Sequence, residues 1–208
     1  RMKPDYVVVG EVRGEEAYVL FQGMASGNPS LGTIHSGSVD DVIKRLMTPP
    51  IELSSSLIEA LDVLVVMVNA HEKGKSARRV KEVVEIESVD RESDRAHTSK
   101  IFAWIPSADE YKDSSRQSLL LRKISFEKGI SYDKAMEELD KRRKIIEWML
   151  RHDLVHFEDV AQIINLTYKD PATVMNWVDK DVAPSERKTK DMEKLRESAT
   201  GLKFGKGI

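Results

Sequence analysis

The residues best placed to do chemistry lie near the start of the chain. Glu11 follows the short apolar run Tyr6–Val9 and a single Gly10. A Val-rich run of that length predicts a strand buried on both faces, and parallel strands present functional residues at their C-terminal ends. A carboxylate there can orient an attacking water, or hold a metal-bound water, in phosphoryl transfer. Gly10 removes a side chain where a ligand would approach. The plainer reading is a surface glutamate at a strand end, paired with Arg13. His35 is the second candidate, closing the predicted strand Leu31–His35. Imidazole at that place can donate a hydrogen bond to a terminal phosphate and report its loss. The alternative is a structural histidine. Thr33 either bonds within the site or serves as a β-branched strand residue. His71, His97, His152 and His156 show no ligand spacing, and without cysteine no zinc-type set is expected.

The elements that must position these groups follow from periodicity. After Gly10 the segment Glu15–Ala25 reads as a helix with Ala17, Leu20, Phe21 and Met24 on one face and two acids in its first turn. Gly27-Asn28-Pro29 stops it. Ser38 opens a second helix with the stripe Val39, Val42, Ile43 and Leu46, and Pro49-Pro50 close it. A short helix over Ser54–Ala60 and a strand over Val63–Val68 come next. The order strand, helix, strand, helix, helix, strand predicts a mostly parallel sheet covered by helices. Val80–Val89 and Lys100–Ile105 read as an antiparallel hairpin joined by Asp90–His97, and Pro106–Asp113 reads as a linker.

The remainder is helical. Ser114–Lys128 ends at Gly129, and Ser131 caps the next helix, with Tyr132, Ala135, Met136, Leu139, Ile146, Met149 and Leu150 on one side. Phe157, Val160, Ala161, Ile164 and Tyr168 stripe a third, and Asp170-Pro171 starts a fourth containing Val174, Trp177 and Val178. The neighbourhoods of Trp148, Met149 and Trp177 read as core or as partner contacts. From Asp181 the chain is charged and is expected to be loosely ordered. A third of the residues are charged, yet the net charge is −2, so no global excess points to nucleic acid or to a basic partner. No apolar run approaches the roughly 20 residues that span a bilayer.

The spelling of the first motif carries a resemblance. Gly10-Glu11-Val12-Arg13 resembles the Walker B segment of the secretion ATPase superfamily, which drives type II and type IV secretion, pilus extension and retraction, and archaellum rotation. Bacterial members mostly place Asp after the Arg. Gly14-Glu15-Glu16 here resembles the archaeal branch. The stretch Gly32–His35 with Asp41, Ile43, Arg45 and Leu46 resembles that family's histidine box. The resemblance implies that Glu11 polarises the hydrolytic water, Mg2+ being reached only through bound water, and that His35 senses phosphate. Gly10, Arg13, Asn28 and Thr33 would support the nucleotide site. Asn28 stands where the family has the first histidine of the box, so a hydrogen-bond donor remains there but no titratable charge.

The resemblance covers residues 4–180 and implies the latter half of a RecA-like P-loop ATPase core over 1–105, a helical subdomain over 106–180 and a charged tail over 181–208. It implies ATP and Mg2+ as cofactors of the intact protein. It also implies a homo-hexamer at the inner face of the cytoplasmic membrane, docked on a polytopic platform protein and serving pilin-like or secreted subunits. The P-loop Gly-x-x-x-x-Gly-Lys-Ser/Thr does not occur in the 208 residues. Without it the chain is expected to be inactive by itself, and because Arg1-Met2-Lys3-Pro4 leads directly into the first strand, the chain is expected to begin inside a domain. The rival expectation is a non-catalytic module that binds motor subunits or the platform. A nucleic-acid motor is disfavoured by the absence of basic stripes with interleaved aromatics.

Overall fold

Two hydrophobic cores organise the chain in a computed structural model that describes residues 4–72, 75–90 and 95–184. The described residues divide into two compact units between Gly129 and Ile130.

In the first unit, β1 (Val7–Val9) and β2 (Ser30–Gly32) form a two-stranded parallel sheet with Val7 opposite Ser30 and Val9 opposite Gly32. The ladder thus ends at Gly32, before Thr33 and His35, which were expected inside the strand. The crossover helix α1 (Glu16–Ala25) buries Ala17, Leu20 and Phe21, the face its spacing predicts, and the chain turns at Gly27, whose φ is +83°. Ser38 caps α2 (Val39–Met47) by accepting from the Asp41 N–H at 3.1 Å. Val42, Ile43 and Leu46 of α2 join Leu20, Phe21, Ile51, Leu53 and Ile58 of α3 (Ser55–Ile58) in one core. Each such large side chain contributes about 1.5–3 kcal/mol on burial.

The expectation of a mostly parallel sheet is corrected. The larger sheet is four-stranded and antiparallel, in the order β3 (Val63–Glu72), β4 (Lys75–Val89), β5 (Ala96–Ile105), β6 (Glu110–Asp113). Val63–Val68 therefore belongs to a long hairpin rather than to the β1–β2 sheet. A continuous apolar run marks a buried strand but carries no information on the direction of its partner. The next strand in the chain is the nearest partner, and it takes the ladder. Pro106–Asp113 is likewise not a plain linker. Asp109, at φ +51°, accepts from Trp104 Nε1 at 2.8 Å and from Arg79 at 2.9 and 3.0 Å, and this pins the turn into β6. The connection expected over Asp90–His97 is shorter, since Ala96 and His97 pair within β5, while 91–94 lie outside the described residues.

The single helix expected over Ser114–Lys128 is split into a 3-10 turn at Ser115–Gln117 and α4 (Leu119–Glu127). Ser118 caps α4, and the buried Glu85 carboxylate of β4 accepts from Ser118 Oγ and from the Leu119 and Leu120 N–H groups. These contacts tie α4 to the sheet, so β6 and α4 fall in the first unit although they lie beyond residue 105.

The second unit is helical. Ser131 caps α5 (Tyr132–Arg151), accepting from the Lys134 N–H at 3.2 Å. Two further helices follow, α6 (Phe157–Lys169) and α7 (Pro171–Lys180). The core is Ile145, Trp148, Met149, Ile163, Val174 and Val178. Trp148 is fully buried, stacks on Trp177 at 6.3 Å between ring centroids, and donates from Nε1 to the Val182 carbonyl at 3.1 Å. The buried face of α5 is thus turned onto Trp148, and Ile146 and Leu150, expected on the buried side, are exposed. Asp170 is both the C-cap of α6 and the N-cap of α7, where its carboxylate accepts from the Thr173 N–H at 3.2 Å. The expected tail falls from residue 185 outside the described residues.

Candidate functional site

The site is assembled where β1 and β2 end side by side. Beyond the ladder, Thr33 Oγ1 donates to the Gly10 carbonyl at 2.5 Å, and the Val12 N–H donates to the Thr33 carbonyl at 2.8 Å. Val12 is buried in the core next to α1. With Val12 pinned inward, the preceding side chain emerges on the other side of the backbone. That side chain is Glu11, and it is 29% exposed.

Both oxygens of Glu11 have a partner. Arg13 Nη2 lies 2.6 Å from one, and His35 Nε2 lies 3.5 Å from the other. The Arg13 hydrogen bond holds the Glu11 carboxyl below the usual carboxylate range against partial desolvation, and the charges of Arg13, His35 and Arg45 add to it. The same pairing raises Arg13. Glu11 is therefore an ionised acceptor at neutral pH. The ion pair expected on plain structural grounds and the Glu11–His35 neighbourhood expected from two strand ends are present together.

The loop between Glu11 and α1 has a clamp of its own. The Glu16 carboxylate accepts from the Arg13 N–H and, at 2.8 Å, from the Gly14 N–H. These bonds, that from Arg13 first, hold its carboxyl below its ordinary value. The sequence marks Glu16 as a first-turn acid and as part of the archaeal-branch spelling, but not its reach back to Arg13. Arg45, in the last turn of α2 and among the residues of the histidine-box resemblance, donates from Nη1 to the His35 carbonyl at 2.7 Å.

Gly10, Glu11, Arg13, Thr33 and His35 are thus brought together, but Asn28 is not. Asn28 precedes β2 at the opposite end of the parallel pair, where its N–H donates to the Gly23 carbonyl at 2.9 Å. At ~3.3 Å per strand residue it stands roughly 15 Å behind Thr33. A Cβ at Gly10 would meet nothing within 4 Å, so it is the Gly10 carbonyl that the local structure uses. Among the described residues there is no group of three or more His, Asp or Glu side chains arranged to hold a metal ion. His152 pairs with Asp181 at 3.2 Å in the second unit.

Comparison with known proteins follows the same line. The family model described as type II/IV secretion system protein matches residues 1–117. An uncharacterized protein of Methanocaldococcus jannaschii is 38% identical over 146 residues, covering 70% of this chain and 54% of that protein. A second uncharacterized protein of the same organism is 31% identical over 172 residues, covering 81% of this chain and 31% of that protein. The conjugal transfer protein TrbB of Rhizobium radiobacter is 35% identical over 89 residues, 42% of this chain and 28% of TrbB. The chain thus spans about half the length of the first of these relatives and less of the others. The segment holding Glu11, Arg13 and His35 lies within the matched region, and the chain belongs to the type II/IV secretion system protein family.

Proposed function

We propose that these residues form the water-activating side of the nucleotide site in an ATP-hydrolysing secretion or filament-assembly motor. The observation that carries this reading is the ionised Glu11 at the exit of β1, with His35 against one of its oxygens. The donor set suits the terminal-phosphate end of a bound nucleotide: an acceptor for water in Glu11, and donors in His35 and Arg13. It does not supply a phosphate cradle, since no Gly-x-x-x-x-Gly-Lys-Ser/Thr occurs in the 208 residues. When bound, ATP with Mg2+ supplies the electrophilic phosphorus and the cation that neutralises its oxygens. Glu11 accepts a hydrogen bond from the attacking water and orients it. Arg13 competes for Glu11 in the resting arrangement and moves toward an incoming anion, which frees the carboxylate. His35 donates to a terminal phosphate oxygen.

In the same reading the motor is a homo-hexamer that docks on a membrane platform protein and moves pilin-like or secreted subunits. The apolar side chains of Ile146, Leu150, Phe157 and Tyr168, exposed on the second unit, support a protein contact there. No helix among the described residues is long and apolar enough to cross a membrane. The second reading is a non-catalytic module that binds motor subunits, and the same exposed apolar side chains of the second unit favour it.

The test compares the 208-residue chain with a protein that joins it to a P-loop segment of the same family. Steady-state ATP turnover is expected only from the joined protein, and Glu11→Gln should lower its kcat by about 100-fold or more while nucleotide still binds. Turnover by the 208-residue chain alone, or full turnover in Glu11→Gln, would sink the proposal. Nucleotide-independent binding to motor subunits with no turnover in the joined protein would select the second reading.

A further inference from the structure

We propose that Arg45 is a positioning residue that holds the His35 imidazole against Glu11. The functional meaning of that contact rests on the reading above, while the contact itself does not. His35 lies beyond the end of β2, and its side chain is 84% exposed, so neither the ladder nor burial fixes it. Thr33 is tied on both sides, through its hydroxyl to Gly10 and through its carbonyl to Val12. Ile34 then packs against the core, and beyond it His35 must still be directed. Among the described residues, the groups that hold His35 are Glu11, at 3.5 Å from the ring, and Arg45, whose Nη1 donates to the His35 carbonyl at 2.7 Å.

Arg45 is suited to the task by what carries it. It sits in the last turn of α2, whose other face is locked into the core by Val42, Ile43 and Leu46. The N-terminus of α2 is fixed in turn by the Ser38 cap. The guanidinium therefore projects from a helix that cannot roll without exposing the core. One nitrogen is used on the carbonyl, and the charge of the guanidinium adds last and least to the pull that keeps Glu11 ionised. Arg45 thus ties the backbone of the loop that bears the imidazole to α2. Its effect on chemistry is indirect, since it acts through the place of His35.

Side-chain nitrogen NMR on the 15N-histidine-labelled 208-residue chain tests this without any nucleotide. The His35 Nε2 resonance is assigned by its loss in His35→Ala. Glu11→Gln then defines its position when the carboxylate charge is gone. Arg45→Gln is expected to move the resonance most of the way to the Glu11→Gln position at the same pH. Arg45→Lys, which keeps a donor and the charge, should fall between. Lys44→Gln removes a neighbouring exposed charge on α2 and should leave the resonance where it was. An unmoved resonance in Arg45→Gln overturns the proposal, as does an equal shift in Lys44→Gln. So does a Glu11→Gln spectrum identical to the parent, which would mean that ring and carboxylate do not interact. Loss of the folded spectrum in both Arg45 variants assigns Arg45 to the fold and also overturns it. None of these results depends on ATP turnover, so the functional reading stands or falls separately.

Discussion

Glu85 provides the sharpest test of how the first unit is held together. Its buried carboxylate accepts from Ser118 Oγ at 2.5 Å and from the Leu119 and Leu120 N–H groups at 2.8 and 3.3 Å. No residue of α4 is itself buried, so apolar packing alone holds this helix weakly. A hydrogen bond to a charged group contributes about 1.5–3 kcal/mol, and bonds sharing one carboxylate are not additive. In Glu85→Ala the freed N–H groups partly regain water, because Leu119 is exposed. The expected net loss is therefore about 2–4 kcal/mol, less than three separate bonds would suggest. Glu85→Gln keeps one oxygen for the N–H groups and can reverse the bond to Ser118, so about 1 kcal/mol is expected. Amide hydrogen exchange over residues 119–127 reads the difference directly. At 1.4 kcal/mol per tenfold, Glu85→Ala should accelerate exchange in α4 by about 30–700-fold, with the amides of α1 as internal reference. Exchange unchanged within about threefold, or equal damage from Gln and Ala, would refute the reasoning.

Two further outcomes are expected. The Asp181 carboxyl is held below its ordinary value by hydrogen bonds from Arg151 and then His152. A lowered folded pKa means the contact stabilises above the unfolded value near 3.9 and is lost as pH falls through the lower folded value. Asp181→Asn keeps the left-handed backbone, at φ +48°, and removes the charge. The variant should unfold more readily in denaturant at neutral pH, with the gap closing below about pH 4, as followed by tryptophan fluorescence. A gap that persists at pH 2 would contradict the assignment. Gly32→Ala places a Cβ 2.9 Å from Leu20 Cδ2, a fully buried side chain, and should cost about 1–3 kcal/mol by urea unfolding. A neutral result would show that α1 can shift away from β2.

Local chemistry was legible in the chain, and long-range pairing was not. Ser38, Ser131 and Asp170-Pro171 mark helix starts because a cap acts on its own first turn. Glu11 and His35 could be brought together on paper because parallel strands end side by side. The direction of the β3 ladder could not be read, since Val63–Val68 is equally apolar in either pairing. β6 was hidden because its four residues are all exposed and carry no apolar alternation. Asn28 was placed at the site by motif alignment, whereas the β1–β2 register puts it at the far end. The contacts of Glu16 and Arg45 were not legible, for a shared reason. A charged residue in the first or last turn of a helix already has a sufficient local explanation, and only coordinates show that its side chain also reaches a backbone group outside the helix.

The shared cap at Asp170 has a consequence for how this chain tolerates changes in length. One residue ends α6 and begins α7, and its carboxylate fixes the first turn of the second helix. An inserted residue at that joint would turn α7 by about 100° about its axis. Val174 and Val178 would then leave the core, and the Val182 carbonyl would leave Trp148. The corner between these helices is therefore closed to insertion and deletion. The connection between α5 and α6, from His152 to His156, has no such shared residue and is held instead by Leu154, which packs on the core and whose N–H donates to the Met149 carbonyl.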